Sequence, residues 1–349
     1  MTGGVDILLV SLGTTRGLRL ADAWLVALLR EAGVSVAATR TSFGLADRLR
    51  RGYPANDLVE AIACRRALRA ARSRQRPHAV ILSSTTAALL AGDPGVPFAV
   101  RLDAPAALNR PGALTAPVRA LERQSLTRAR LVLATSAAGA AALPPGSAPA
   151  VVVPVPIESA GEASAGRGRV AVAYTPDPQA KGLDLLAAAW AQAGLDDARL
   201  DVFGLDPEKG RRHLERSGVP EPAGLCWRGN VAPEAFRGAL RGSRTFVTAA
   251  RWEDFGQAQL EALSDGAVLT TLPSPGPFAA LALARELSPE LVAEEGTPAA
   301  LARALRAAFA LPDERLEIYR SAAQPLLAPY RPGAVARTLR DDVLPVLLG

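Results

Sequence analysis

Short apolar runs alternate with longer polar or amphipathic stretches along the first half of the chain. The runs lie at residues 5–11, 34–39, 79–83, 98–102 and 131–135. Apolar runs of this length predict strands that are buried on both faces, and the stretches between them predict helices, several of them rich in arginine. A parallel sheet covered by helices on both faces is therefore expected.

The pattern restarts after a loose stretch, residues 138–168, that is rich in Pro, Gly, Ala and Ser. An apolar run at 151–156 interrupts this stretch, and the domain boundary is predicted directly after that run. Beyond it, strands are predicted at 170–174, 200–203, 224–228, 244–249 and 267–271, with helices between them, and three final helices at 298–309, 313–327 and 333–347.

The predicted fold class is therefore α/β, with two doubly wound, Rossmann-like domains at residues 1–156 and 157–332. Residues 333–349 are expected to form a C-terminal helix that can pack back on the first domain. Ligands of doubly wound folds bind at the carboxyl ends of the strands. A cleft between the two domains is the expected binding site.

Composition excludes several classes of protein. Hydrophobic residues make up 49% of the 349 residues and charged residues 21%, which is incompatible with a disordered chain. No apolar run reaches the ~18–20 residues of a membrane-spanning helix, and the N-terminus does not resemble a secretion signal. Cys64 and Cys226 lack metal-ligand spacing. A cytoplasmic protein with free thiols is expected.

Arginine dominates the basic residues. Of 40 basic residues only Lys181 and Lys209 are lysines, and residues 1–156 are basic overall while 157–349 are acidic overall. The Arg-rich stretch 64–76 has two interpretations: a solvated helix, or a basic face that contacts anionic lipid at the membrane periphery or a phosphorylated acceptor. No aromatic residues interleave with it, so binding of nucleic acid is not expected.

The segment 251–266 combines three features of a diphosphate site. Gly256 allows close approach of the backbone to a ligand. The free amides of a helix beginning near Gln257 favour an anion. Two carboxylates, Glu253 in the loop and Glu261 in the helix, can accept hydrogen bonds from sugar hydroxyls.

This segment resembles the signature of the family-4 retaining glycosyltransferases of the GT-B fold. The signature is Glu-x7-Glu, and here Trp-Glu-Asp-Phe-Gly, Leu-Glu-Ala-Leu and Ser-Asp-Gly-Ala-Val follow in order at 252–256, 260–263 and 264–268. Upstream, Lys-Gly-Leu-Asp-Leu-Leu at 181–186 resembles the family's Lys-Gly-x-Asp-x-Leu. Residues 227–231 resemble its nucleobase loop.

The resemblance implies a role for each matched residue. Lys181 is expected to hold the donor diphosphate, Glu253 to contact the transferred sugar and Glu261 the ribose. The amides beside Phe255, at Gly256 and Gln257, are expected to face the phosphates. The backbone of the loop containing Arg228, Gly229 and Asn230 is expected to lie against the base. Domain 157–332 is thus the expected nucleotide-sugar domain and domain 1–156 the acceptor side.

The chain departs from the family pattern at two places. Thr175 stands where the family usually has a phosphate-binding Arg, so Arg251, or Arg16 across the cleft, is the expected replacement cation. Gly13, in the turn at 11–17, occupies the place of the family's first glycine-rich loop. No histidine stands near Asp103, which is the candidate for contact with the acceptor or the reacting centre.

The predicted function is retaining transfer of a sugar from a nucleoside-diphosphate sugar to an unidentified acceptor, which can be a glycan, a lipid or a small molecule. The donor is a substrate, and neither a further cofactor nor a metal ion is expected. A catalytically inactive GT-B homologue that serves as a binding or scaffold subunit is the main alternative. An epimerase or a phosphorylase on the same fold is a third, less well supported by the residues present.

Overall fold

The computed structural model describes residues 4–43, 55–158 and 168–349. The chain divides into two compact units. The first comprises Met1–Pro156 and Pro332–Gly349, and the second comprises Ile157–Arg331.

The first unit contains a six-stranded parallel sheet in the order β2-β1-β3-β4-β5-β6. Its strands are β1 Ile7–Ser11, β2 Val36–Arg40, β3 Ala79–Leu82, β4 Phe98–Leu102, β5 Leu131–Ala134 and β6 Ala150–Val152. Its helices before the boundary are α1 Arg16–Glu31, α2 Ala55–Gln75, α3 Thr85–Ala88, α4 Ala106–Asn109, α5 Ala116–Arg128 and α6 Ala137–Ala141, with a 3₁₀ turn at Ala113–Thr115.

The second unit contains a five-stranded parallel sheet in the order β11-β10-β7-β8-β9. Its strands are β7 Val170–Tyr174, β8 Arg199–Phe203, β9 Leu225–Gly229, β10 Thr245–Thr248 and β11 Val268–Thr271. Its helices are α7 Leu183–Ala193, α8 Pro207–Arg216, α9 Pro233–Gly242, α10 Gln257–Ser264, α11 Ala279–Leu287, α12 Pro298–Ala310 and α13 Asp313–Leu326, with 3₁₀ turns at Pro289–Leu291 and Ala328–Tyr330.

The C-terminal segment consists of α14 Pro332–Thr338, a π-helical turn Leu339–Val343 and α15 Leu344–Leu348. Its apolar side chains share a core with α1 and with one face of the first sheet, and its fully buried members include Leu339 and Val343. This packing assigns residues 332–349 to the first unit although they follow the second in sequence.

The predicted α/β class with two Rossmann-like units is confirmed. Differences are confined to short elements and to element ends. Helix α1 begins at Arg16, because the hydroxyl of Thr15 caps it by accepting from Leu18 N. Strand β2 begins two residues later than predicted. Helix α11, a nine-residue alanine-rich element, was not predicted.

Two further expectations concern the cysteines and membrane spans. Both thiols are free, and burial raises the pKa of Cys64 to about 12, so this thiol stays protonated. Within the described ranges, no helix combines the length and apolar character needed to cross a bilayer.

Candidate functional site

The signature loop joins the carboxyl end of β10 to the first turn of α10. Gly256 stands at the start of α10 with φ of +87°, a conformation that favours glycine. A Cβ atom at this position would lie 2.5 Å from the ring of Phe278. The backbone therefore turns sharply here, and the first amides of α10 lack partners within the helix.

Lys181 and Glu253 form an ion pair beside this turn. Lys181 Nζ lies 2.7 Å from Glu253 Oε2, and the Gln259 side-chain amide donates to the same oxygen at 2.8 Å. Both of these hydrogen bonds go to Oε2, and the Glu253 side chain keeps 11% of its surface exposed. One carboxylate oxygen is thus fixed in place and the other can accept a hydrogen bond from a ligand.

The loop between β7 and α7 places Lys181 against the end of β10. The Asp177 carboxylate accepts from the amides of Gln179 and Ala180, and Lys181 N donates to Asp177 O at 2.9 Å. Gly182 has φ of +61°, and a Cβ there would lie 2.1 Å from Ala249 O. The two loops therefore approach each other so closely that only glycine fits between them.

Arg251 joins the same two loops. Its guanidinium binds both carboxylate oxygens of Asp184 at 2.6 and 2.9 Å and donates to Gln179 O, while its backbone amide donates to Ala180 O at 2.9 Å. Burial by itself raises the pKa of Asp184, but the hydrogen bonds and charge of Arg251 outweigh it and hold that pKa below its usual range. To serve as the replacement phosphate cation, Arg251 would have to leave Asp184.

The second acid of the signature lies within α10. Glu261 is half-buried, and its carboxylate accepts from the Gln257 side chain at 3.0 Å, one helical turn earlier. Phe255 is buried, with its ring centroid 6.1 Å from that of Tyr330. Burial raises the pKa of Tyr330, so the phenol beside Phe255 stays neutral at physiological pH.

The loop that follows β9 lies at the carboxyl end of the same sheet. Gly229 has φ of +67°, and its carbonyl accepts from Gly204 N at 2.8 Å, which ties this loop to the end of β8. Arg228 binds Asp201 at 2.9 Å, and Asn230 is exposed. The side chain of Arg228 is therefore already paired with Asp201 on the neighbouring strand β8.

Thr175 follows β7 directly and is buried, with 2% of its surface exposed. Its amide donates to Phe203 O, but its hydroxyl has no hydrogen-bond partner among the described residues. Thr175 therefore places a buried hydroxyl without a described partner at the carboxyl end of β7.

Three predicted residues lie in the first unit. Gly13 has φ of +61°, and its carbonyl accepts from Arg19 at 3.0 Å. Arg16 begins α1, but its side chain is outside the described part of the structure. Asp103 is half-buried just beyond β4.

A set of buried polar side chains includes Arg101, two residues before Asp103 in the sequence. Arg101, on β4, binds Asp22 at 3.3 Å, and Ser11 donates to Asp22 at 2.5 Å. Burial raises the pKa of Asp22, against the hydrogen bond from Ser11 and the charge of Arg101. Arg101 is therefore buried inside the first unit and already paired with Asp22.

The sequence interpretation assigned no role to Asp184, Gln259 or Gly276. Gln259 fixes Glu253, and Asp184 fixes Arg251. At Gly276 φ is +111° and a Cβ would lie 2.3 Å from Glu253 O. Asp184 could have been identified from its place in the Lys-Gly-x-Asp-x-Leu segment. Gly276 lies in a separate loop, and no sequence signal joins it to Glu253.

The described residues contain no group of three or more His, Cys, Asp or Glu side chains arranged to hold a metal.

Comparison with known proteins identifies the second unit. Residues 169–310 match the family described as Glycosyl transferases group 1, and they include Thr175, Lys181, Glu253 and Glu261. No curated protein sequence matches the chain.

Solved glycosyltransferase structures resemble the whole chain. Sucrose-phosphate synthase from Thermosynechococcus elongatus aligns with a TM-score of 0.73 at 16% identity, over 96% of this chain and 97% of that one. Alr3699/HepE from Anabaena, in complex with UDP-glucose, aligns with a TM-score of 0.70 at 13% identity, over 96% and 98%. A UDP-forming α,α-trehalose-phosphate synthase from Burkholderia xenovorans aligns with a TM-score of 0.66 at 12% identity, over 87% and 82%.

At these identities the structural likeness shows the fold, and the family match adds the class of enzyme. The second unit is therefore a glycosyltransferase domain of group 1, within a chain that has the GT-B fold of two Rossmann-like units.

Proposed function

We propose that this protein transfers a sugar, with retention of anomeric configuration, from a nucleoside-diphosphate sugar to an acceptor. The observation that carries the proposal is the ion pair of Lys181 and Glu253, 2.7 Å apart, beside the N-terminus of α10. A cation, a carboxylate and free helix amides are the groups that a diphosphate joined to a sugar requires. The HepE complex with UDP-glucose supports a donor of this class on this fold.

In the proposed complex, Lys181 exchanges Glu253 for the diphosphate. The amides of Gly256 and Gln257 and the positive end of the α10 dipole bind the same phosphates. The Thr175 hydroxyl, which has no described partner, supplies a neutral donor at the position where the family usually has an arginine. Phosphate binding therefore depends on one lysine and several neutral donors.

The two acids of the signature bind the two ends of the donor. Glu253 accepts from a hydroxyl of the transferred sugar through Oε1, because Oε2 is held by Gln259. Glu261 accepts from the ribose, and Gln257, now bound to Glu261, reorients as the ribose enters. The base lies against the backbone of residues 228–230, since the Arg228 side chain is already bound to Asp201.

The chemical step needs no strong base from the protein. As the bond from the sugar to the diphosphate breaks, a phosphate oxygen accepts the proton of the attacking hydroxyl on the same face of the sugar. Lys181 and the α10 amides stabilise the charge that develops on the leaving diphosphate, which is the largest catalytic contribution. Asp103 is assigned to the acceptor side of the reaction.

Titration calorimetry of Lys181→Ala tests the binding proposal. Loss of a charge-assisted hydrogen bond, worth about 1.5–3 kcal/mol, is expected to weaken binding of a nucleoside diphosphate by about 10- to 100-fold. Lys209→Ala removes an exposed lysine of the same unit and is expected to leave affinity unchanged. Equal affinities for the two variants would contradict the proposal.

The inactive homologue remains the second candidate, because Thr175 replaces the arginine and Arg251 is bound to Asp184. Slow hydrolysis of a nucleotide sugar by the pure protein distinguishes the two functions. If the protein is an enzyme, hydrolysis is expected to disappear in Glu253→Ala, and NMR of the sugar released at early times is expected to show the anomer of the donor. Release of the opposite anomer would contradict the proposed retention of configuration but not the proposed sugar transfer.

A further inference from the structure

His213 is a buried histidine of the second unit that the proposed function does not use. It lies on α8 and keeps 6% of its surface exposed. Its Nε2 atom is 3.5 Å from Oδ1 of Asp184, in the first turn of α7. This contact joins α8 to the helix that directly follows Lys181 and Gly182.

Asp184 is shared between His213 and Arg251. Its Oδ1 atom accepts from Arg251 Nη1 at 2.9 Å and also faces the imidazole, while Oδ2 accepts from Arg251 Nη2 at 2.6 Å. Burial raises the pKa of Asp184, but Arg251 and, to a smaller extent, His213 outweigh burial and lower that pKa. Asp184 is therefore ionised at neutral pH and can stabilise a protonated imidazole.

The charged groups around His213 come from several elements. Asp184 faces it from α7, with Arg251 behind Asp184 in the loop after β10, and Asp177 lies beside α8 in the loop after β7. Strand β9 faces α8 with the uncharged ring of Trp227. The charged side chains of α8 itself are exposed to solvent: Glu208, Lys209, Arg211, Arg212, Glu215 and Arg216.

The paired side chains of the candidate donor site balance in charge before a ligand binds. Lys181 is paired with Glu253 and Arg251 with Asp184, so their charges cancel. The diphosphate of a nucleotide sugar adds negative charge, which favours uptake of a proton by a titratable group nearby. An ordinary histidine changes its charge between about pH 5 and 8, and His213 is the only histidine at 157–331.

We propose that His213 takes up a proton when the nucleotide sugar binds and thereby holds Asp184 in place. This inference rests on the proposed function, because the donor supplies the negative charge. Protonated His213 donates a charge-assisted hydrogen bond to Asp184. Asp184 keeps Arg251, which ties the loop of Glu253 to the loop of Lys181. His213 is thus a positioning residue that acts on the donor through Asp184.

The proposal gives donor affinity a definite dependence on pH. Because the bound state holds more protons than the free state, affinity is expected to be highest in mild acid and to fall as pH rises through the range in which histidine titrates. A coupling of typical size predicts binding that is about five- to tenfold weaker at about pH 8 than at about pH 6.

Titration calorimetry in two buffers of different ionisation enthalpy measures the proton directly. The probes are UDP-glucose, GDP-mannose and ADP-glucose, whose diphosphates are esterified at both ends and do not titrate in this range. The wild type is expected to take up a fraction of a proton at neutral pH. His213→Gln keeps a hydrogen-bond donor for Asp184 and is expected to bind without proton uptake and with little pH dependence.

His78→Gln is the matched control. His78 is exposed, lies in the first unit and faces Asp6 at 3.6 Å, so this variant is expected to take up the same fraction of a proton as the wild type. Thermal unfolding verifies that both variants are folded.

Imidazole NMR of the wild type, labelled in histidine, provides a second measurement that does not depend on the fold of a variant at position 213. The chain contains two histidines, so the spectrum of His78→Gln assigns both. A saturating nucleotide sugar at neutral pH is expected to move the His213 resonances towards those of imidazolium and to leave those of His78 in place.

Donor binding without proton uptake, or uptake that persists in His213→Gln, would overturn this inference and leave the proposed sugar transfer intact. Unchanged His213 resonances in the saturated wild type would overturn it as well. Absence of binding by all of these nucleotide sugars would instead contradict the proposed function, and the inference would fall with it.

Discussion

At the scale of single residues, the candidate donor site depends on glycines as much as on charged side chains. Gly182, Gly256 and Gly276 all have positive φ, and a Cβ at any of them would approach a neighbouring atom to 2.5 Å or less. These positions allow the loops that carry Lys181 and Glu253 to pack against each other. The charged side chains of Lys181 and Glu253 are therefore positioned by backbone conformations that favour glycine.

Gly256→Ala tests this dependence. The substitution combines an unfavourable φ of +87° with a contact to the Phe278 ring, and about 2–4 kcal/mol of stability is expected to be lost. Nucleoside-diphosphate affinity is expected to fall as well, because the amides of the first turn move. Chemical denaturation and calorimetry measure the two effects.

Gly242→Ala is the matched control. A Cβ at Gly242 meets no atom within 4 Å, and its φ is not positive. A change of less than about 1 kcal/mol is expected. Equal destabilisation by the two substitutions would contradict the role given to the Gly256 turn.

At the scale of elements, Asp184 at the start of α7 holds the loop that follows β10. The bidentate Arg251 ion pair, the Ala180 carbonyl and the Gln179 carbonyl together join that loop to the residues around Lys181. Glu253 lies two residues beyond Arg251. The position of Glu253 opposite Lys181 therefore depends on the ion pair of Arg251 with Asp184, although neither Glu253 nor Lys181 takes part in that ion pair.

Asp184→Asn tests this coupling. Loss of one charge from a partly buried ion pair is expected to cost about 1–3 kcal/mol of stability. It should also weaken binding of a nucleotide sugar more than of the nucleoside diphosphate alone, because Glu253 is assigned to the sugar. Comparison of the two affinities measures the effect, and an equal loss for both ligands would indicate a purely structural role.

The contribution of this ion pair to the stability of the folded protein depends on pH in a definite direction. The pKa of Asp184 is lowered in the folded protein, so its contribution to stability is present above the ordinary carboxyl pKa of about 4 and is lost as pH falls below it. The stability difference between wild type and Asp184→Asn is therefore expected to be constant near neutral pH and to shrink in acid. Denaturant unfolding at several pH values measures it.

At the scale of the whole molecule, the chain returns to its first unit after completing the second. Leu339 and Val343 in the C-terminal segment are fully buried in the core that also contains side chains of α1. The first unit is therefore completed only by the last residues of the chain. Its stability depends on a segment that is distant in sequence.

Leu339→Ala tests this dependence. Removal of a fully buried leucine is expected to cost about 2–5 kcal/mol. The loss is expected in the unfolding transition of the first unit, while Val346→Ala, at an exposed position of α15, is expected to change little. Differential scanning calorimetry measures both, and an undiminished first-unit transition in Leu339→Ala would show that the segment is dispensable.

The sequence by itself determined the α/β class, the two units, most strands and the signature segment around Glu253 and Glu261. Each of these depends on local information: short apolar runs for buried strands, and a fixed spacing of glycine and acids after a strand. The ion pair of Lys181 with Glu253 was not determined in this way, because its members are far apart in sequence.

Only the tertiary structure decided which cations are already bound. Arg251 was the expected free cation in the sequence, yet Asp184 holds it, and Asp201 holds Arg228. The same holds for helix α2, whose acidic residues Asp57 and Glu60 are buried while Arg65, Arg66 and Arg69 are exposed. Whether a charge is available to a ligand depends on partners brought together by folding, and neither composition nor spacing records those partners.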